Sequence, residues 1–198
     1  MLTPFITIIG ANFMKKNMGT VILALLFSAL LVFLDQWTKG LAVTALKGQP
    51  DIILISGVLQ LTYVENAGIA FGLFQGKQYL FAAFTVVILG FLLYLLYRIP
   101  KKKRCLPVIF VLIMLIAGSV GNMIDRILLQ YVVDFIYFSL IHFPVFNVAD
   151  IYVTVSCILL IILVLFVYRD DEVSEWFLFR KKGKEDKDPR ITAKEELL

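Results

Sequence analysis

The chain has 198 residues, 60% hydrophobic and 17% charged, with a formal net charge of +4. A soluble domain carries about 45–50% apolar residues, so a mean hydropathy of +0.88 excludes that class and points to a membrane. Two cysteines, Cys105 and Cys157, and a single histidine, His142, exclude a disulfide framework and a His-rich metal site.

Residues 1–14 are apolar but too short to cross a bilayer; with Lys15 and Lys16 they form an N-terminal segment over 1–17. The run from Met18 to Leu34 ends in Asp35-Gln-Trp-Thr-Lys39 rather than in a small-residue cleavage site. It therefore reads as a retained span over 18–34, not a removed leader. Further spans are expected over 79–97, 106–124 and 148–168, the first of these about 28 Å long at ~1.5 Å per residue. The four-span domain then covers 18–168, with loops over 35–78 and 125–147 and a charged tail over 169–198.

Most of the Lys and Arg residues fall on one side: Lys15 and Lys16, Arg98 and Lys101 to Arg104, and the tail from Arg169 to Lys194. Lys39, Lys47, Lys77 and Arg126 fall on the other. By the positive-inside rule both termini are cytoplasmic, and both acid-bearing loops face outward. The basic runs are thus topology signals, and no nucleic-acid partner is expected. In the first outer loop Leu59, Leu61 and Tyr63 alternate along Leu59-Gln-Leu-Thr-Tyr-Val64, which is strand period. Gly57 before it and Asn66-Ala-Gly68 after it supply turn chemistry. The expected fold is an all-α membrane protein of four transmembrane helices, with a small periplasmic or extracellular β-sheet lying on the membrane and Ile69 to Phe74 directed at lipid. The tail is expected to be disordered, apart from Trp176 to Phe179 touching the membrane surface.

Three carboxylates, Asp125, Asp134 and Asp150, stand between and beside the last two spans. Charge at the edge of hydrocarbon is costly, so it marks a functional site by default. Asn122 and Asp125 share a helical face with Gly118, and Asn147 precedes Asp150 by the same three residues. Antiparallel third and fourth spans bring Asp134 and Asp150 to one surface. Two carboxyls in contact share one proton, so one can take a proton from water while the other gives one to a peptide carbonyl. Asn122, Asn147 and Arg126 are suitable donors to hold them or to contact a carbonyl. Blander roles stand beside this one: Asp150 as the acid of a helix cap on Asn147, Asp125 as an ion pair with Arg126, and His142 as an interfacial side chain. So do other functions, namely a proton-coupled carrier, a membrane scaffold whose sheet binds a partner, and a Ser/Lys peptidase. The acids lie at span ends rather than mid-membrane, and Gly118-Ser-Val-Gly121 lacks the order such a serine needs.

The set Asp35-Gln-Trp-Thr-Lys39, Asn66-Ala-Gly-Ile-Ala-Phe71, Gly121-Asn-Met-Ile-Asp-Arg126, Val133-Asp-Phe135 and Phe146-Asn-Val-Ala-Asp150 resembles the bacterial lipoprotein signal peptidases, signal peptidase II. The resemblance implies an aspartyl endopeptidase of the bacterial cytoplasmic (inner) membrane, without metal or other cofactor. Its substrate would be a prolipoprotein, cut before a cysteine that already carries diacylglycerol. It implies Asp134 and Asp150 as catalytic residues and Asn66, Asn122, Arg126 and Asn147 as binding or supporting ones, with Lys39 and Gly68 from the same motifs. Asp35 and Asp125 would belong to the polar network. A monomer in contact with membrane lipid, inhibited by globomycin-type peptides, is expected. Residues 1–14 and the tail beyond Asp170 lie outside the motifs.

Overall fold

The computed structural model describes residues 3–68 and 78–177, with side chains from Met18 onward except those of Gln78, Glu175 and Phe177. In chain order its elements are α1 (Thr3–Leu46), β1 (Ile52–Ile55), β2 (Leu59–Asn66), α2 (Gln78–Arg98), α3 (Leu106–Leu128), β3 (Val132–Phe138), α4 (Val148–Ile162) and α5 (Asp170–Phe177). Among the described residues four stretches are long and apolar enough to cross a membrane: Met18–Leu46, Tyr79–Arg98, Lys103–Leu128 and Val148–Val167. The expected fold class, four membrane helices with a small sheet, is what the chain adopts.

α3 is the central helix. It packs against α1, α2 and α4, which touch one another far less, and it carries the largest set of buried residues, from Val108 to Asp125. Two glycines permit the close approach. A Cβ at Gly118 would lie 2.5 Å from the Ala149 carbonyl oxygen, and one at Gly121 would lie 2.5 Å from Asp35 Oδ2. α3 therefore meets the α4 backbone at Gly118 and takes the Asp35 side chain of α1 against its own backbone at Gly121, as small residues allow between membrane helices.

The first span does not stop at Leu34. α1 continues to Leu46, because Asp35, Lys39, Ala42 and Leu46 form one buried stripe at helical spacing. The charges in that stripe face protein rather than water, so the outer loop begins at Lys47. Likewise α3 runs on to Leu128, which puts Asp125 and Arg126 in its last turns instead of in the loop. α4 closes in a π turn, Leu163–Val167, with the Tyr168 amide donating to the Leu163 carbonyl at 2.9 Å.

The sheet is antiparallel with order β1-β2-β3. β2 lies in the expected loop, and Leu61 and Tyr63 pack with Ala42, Leu46, Val133 and Phe135. The third strand was not foreseen: β3 pairs with β2 so that Val64 stands opposite Asp134 and Asn66 opposite Val132. The tail also departs from expectation. α5 is helical, and Trp176 is buried, 5% exposed, in the bundle core instead of touching the membrane surface. Ile69 to Phe74, expected to face lipid, and residues 178–198 lie outside the described residues.

Candidate active site

The site is built on a buried charge cluster. Lys39 and Asp35, four apart on α1, pair at 2.9 Å; Lys39 also reaches Asp125 of α3 at 3.1 Å, with all three side chains at most 3% exposed. A buried cation between two carboxylates is tolerable only if the remaining polar atoms are occupied. They are. Gln36 Nε2 donates to Asp125 Oδ1 at 2.8 Å, to Asp35 Oδ2 at 3.2 Å and to the Gly121 carbonyl at 3.2 Å. Backbone amides complete the set: Asp35 Oδ1 accepts from Ala149 at 2.9 Å, and Asp125 Oδ2, which also faces Lys39, accepts from Val133 at 3.1 Å. Each of these two aspartates thus grips the residue immediately before Asp150 or Asp134.

Amides carry the network onward. Lys39 Nζ donates to Asn122 Oδ1 at 3.0 Å. An ammonium can only donate, so this bond turns the Asn122 amide nitrogen toward Asp150, where it donates to Oδ1 at 2.7 Å. Asn147 is fixed by the same logic. Its Oδ1 accepts from the Asp150 amide at 3.0 Å, which leaves Nδ2 to donate to Asp134 Oδ1 at 2.7 Å and to Asn122 Oδ1 at 3.1 Å. The Asn147 amide in turn donates to Asp150 Oδ2 at 3.2 Å, completing a capping box at the start of α4. The cap and the site are therefore one arrangement. On the other flank Asn66 Nδ2 donates to Asp134 Oδ2 at 2.8 Å, and the Gly68 amide donates to Asn66 Oδ1 at 3.1 Å, aiming that side chain.

The two candidate carboxyls are brought together through Asn147 and Asn122; among the described residues no hydrogen bond joins them directly. Each oxygen accepts one N–H and keeps further lone-pair capacity. Burial pushes Asp134 up to about 6; the Asn66 hydrogen bond opposes that rise, the Asp150 charge adds to it, and Asn147 and Lys39 oppose it.

Beside Asp150 opens a cavity of about 230 Å³ between α2 and α4, floored by Gly118, Ser119, Asn122 and Arg126 of α3. Arg126 does not pair with Asp125. Successive helical residues point about 100° apart, so Asp125 turns inward to Lys39 while Arg126 lies over the Phe81 ring, 5.8 Å from its centroid. His142 is exposed, and its ring meets the Tyr137 hydroxyl at 3.3 Å. Among the described residues no three His, Cys, Asp or Glu side chains are grouped to hold a metal ion. Sequence reasoning missed Gln36, which bridges Asp35 and Asp125. Its place inside the Asp35-to-Lys39 motif was the available signal.

The model of the family described as Signal peptidase (SPase) II matches residues 27–166, which include every residue of this network. The chain belongs to the signal peptidase II family. Lipoprotein signal peptidases of known name are similar to it: that of Streptococcus thermophilus (strain CNRZ 1066) is 41% identical over 133 residues, 67% of this chain and 86% of the relative. That of Caldanaerobacter subterraneus subsp. tengcongensis is 42% identical over 145 residues, 73% of this chain and 97% of the relative. A solved bacterial membrane enzyme, determined by the in meso method at 2.3 Å resolution, superposes with a TM-score of 0.64 and 32% identity, covering 81% of this chain and 93% of that one. The chain is thus a multi-pass membrane peptidase by family, and α5 lies wholly beyond the matched span.

Proposed function

We propose that this signal peptidase II family member is an aspartyl endopeptidase that removes the signal peptide from diacylglyceryl-modified prolipoproteins, cutting before the lipidated cysteine. The observation that carries the reading is the shared amide network, which fixes Asp134 and Asp150 together at one end of the bundle. With one carboxyl ionised and the other protonated, the first takes a proton from water as its oxygen attacks the scissile carbonyl carbon. The second gives its proton to the carbonyl oxygen, so a neutral tetrahedral diol forms. Proton return to the nitrogen then breaks the C–N bond, leaving a carboxyl on the signal peptide and a free amine on the cysteine.

Asn66, Asn122 and Asn147 hold the carboxyls, with Gly68 aiming Asn66. Asp35, Lys39 and Asp125 fix the backbone that presents them. Arg126, on the pocket floor, is placed to donate to substrate carbonyl or lipid ester oxygens. In this reading the sheet end faces outward from the bacterial cytoplasmic membrane, both termini are cytoplasmic, the enzyme works as a monomer in lipid, and globomycin-type peptides occupy the same pocket. The test is mass spectrometry of the product that the purified enzyme makes from one prolipoprotein, with and without diacylglycerol and with chelator present. The expected product begins at the lipidated cysteine and forms only from the modified substrate. Cleavage elsewhere, equal cleavage of unmodified substrate, or loss of activity with chelator contradicts it.

A further inference from the structure

Between α2 and α4, which scarcely touch, a groove runs with α3 as its floor. The polar pocket beside Asp150 occupies its sheet end. One helical turn further along α3 a second cavity of about 290 Å³ begins at Leu115 and continues past Leu112 to Val108, lined by apolar side chains alone. From Asn122 to Val108 the floor is about 21 Å long, the length of about 14 helical residues at ~1.5 Å each. Trp176 of α5 lines this far cavity.

α5 is held there by several bonds. Its Trp176 packs edge-on against Tyr168, with ring centroids 4.8 Å apart. Arg104 donates through Nε and Nη2 to Glu172, both at 2.9 Å, and through Nη2 to the Val167 carbonyl at 3.0 Å. The Tyr168 hydroxyl donates to the Arg104 carbonyl at 2.9 Å. None of this belongs to the catalytic network, and α5 stands outside the family-matched residues 27–166.

We propose that α5 is an end stop: Trp176 sets the length of the apolar signal-peptide core that the groove accepts. This rests on the peptidase reading above and deepens it by naming what selects the substrate. The two cavities lie in line along one face of α3, with Leu115 of the second one turn from Gly118 of the first, so a peptide whose scissile bond lies at the aspartates has its apolar core directed along α3. Signal-peptide cores of about 7–15 residues match the length of that floor. Asp171 is paired with Arg169 at 3.3 Å, and Asp170, exposed in the first turn of α5, is the acid that faces the basic segment preceding such a core. A longer core meets the indole ring and must displace it or bend.

The experiment compares kcat/KM of the full-length enzyme on diacylglyceryl-modified prolipoproteins whose cores are about 10, 14 and 18 residues long. The wild type is expected to lose about tenfold or more between the two longer cores, chiefly through KM. Trp176→Ala reduces that loss to under about threefold, Glu172→Gln moves it in the same direction by freeing the latch, and Trp176→Phe keeps most of it. Equal wild-type cleavage of all three substrates, or an unchanged length profile in Trp176→Ala, overturns the end stop while leaving the peptidase reading intact. Failure to cleave any of the three contradicts the peptidase reading and the end stop with it.

Discussion

The two ends of the bundle solve the problem of charge in opposite ways. At the sheet end Asp35, Lys39, Asp125 and Asp134 are buried, each with its polar atoms taken by an amide, an ammonium or a backbone N–H. At the far end the interior is hydrocarbon, and the ion pair of Arg104 with Glu172 stays near the surface. The contrast teaches where orientation is fixed. A buried, fully bonded polar cluster tolerates one geometry, whereas an apolar groove accepts whatever fills it.

The contrast is broken most severely by removing an acid that the cluster exists to aim. Asp134→Asn and Asp150→Asn keep shape but lose the proton chemistry, and each also gives up one of the two hydrogen bonds its carboxylate accepts. Each is expected to lower kcat by about 10²–10⁴-fold or more, measured on purified, folded protein. Next comes the cation: Lys39→Met leaves two carboxylates buried without a counter-charge, expected to cost about 3–5 kcal/mol in unfolding experiments in detergent. Gly118→Ala, which forces a methyl into the Ala149 carbonyl and Val153, should cost about 1–3 kcal/mol. Lys47→Ala sharpens the comparison from the other side. Its pair with Glu65 is solvent-exposed, with Lys47 52% accessible, and its loss should leave the melting temperature unchanged.

Much of this was legible in the chain. Four apolar runs gave four spans, alternation at Leu59 to Tyr63 gave a sheet strand, and the three-residue spacings of Asn122 with Asp125 and Asn147 with Asp150 marked the polar ends of α3 and α4. What stayed hidden depends on partners remote in sequence. Asp35 and Lys39 look like a membrane edge until Asp125 arrives from α3 to bury them. β3 is a short apolar segment whose strand character comes from pairing with β2. α5 reads as charged tail because its acidic first turn hides the apolar face from which Val173 and Trp176 pack into the core. Asp125 beside Arg126 suggested a local pair, whereas helical geometry sends the two side chains apart.

The claim on which the account turns is that the proton on Asp134 takes part in the reaction. Asp134 holds that proton below about pH 6 and loses it as pH rises, so kcat/KM should fall on the alkaline side with an apparent pKa near that value. The Asn66 hydrogen bond favours the ionised form, so Asn66→Ala should move the same limb to higher pH. The decisive measurement is the pH profile of kcat/KM for wild type and Asn66→Ala on one diacylglyceryl-modified prolipoprotein. A limb displaced upward in the variant is the predicted result, and a limb that stays in place, or moves to lower pH, contradicts it.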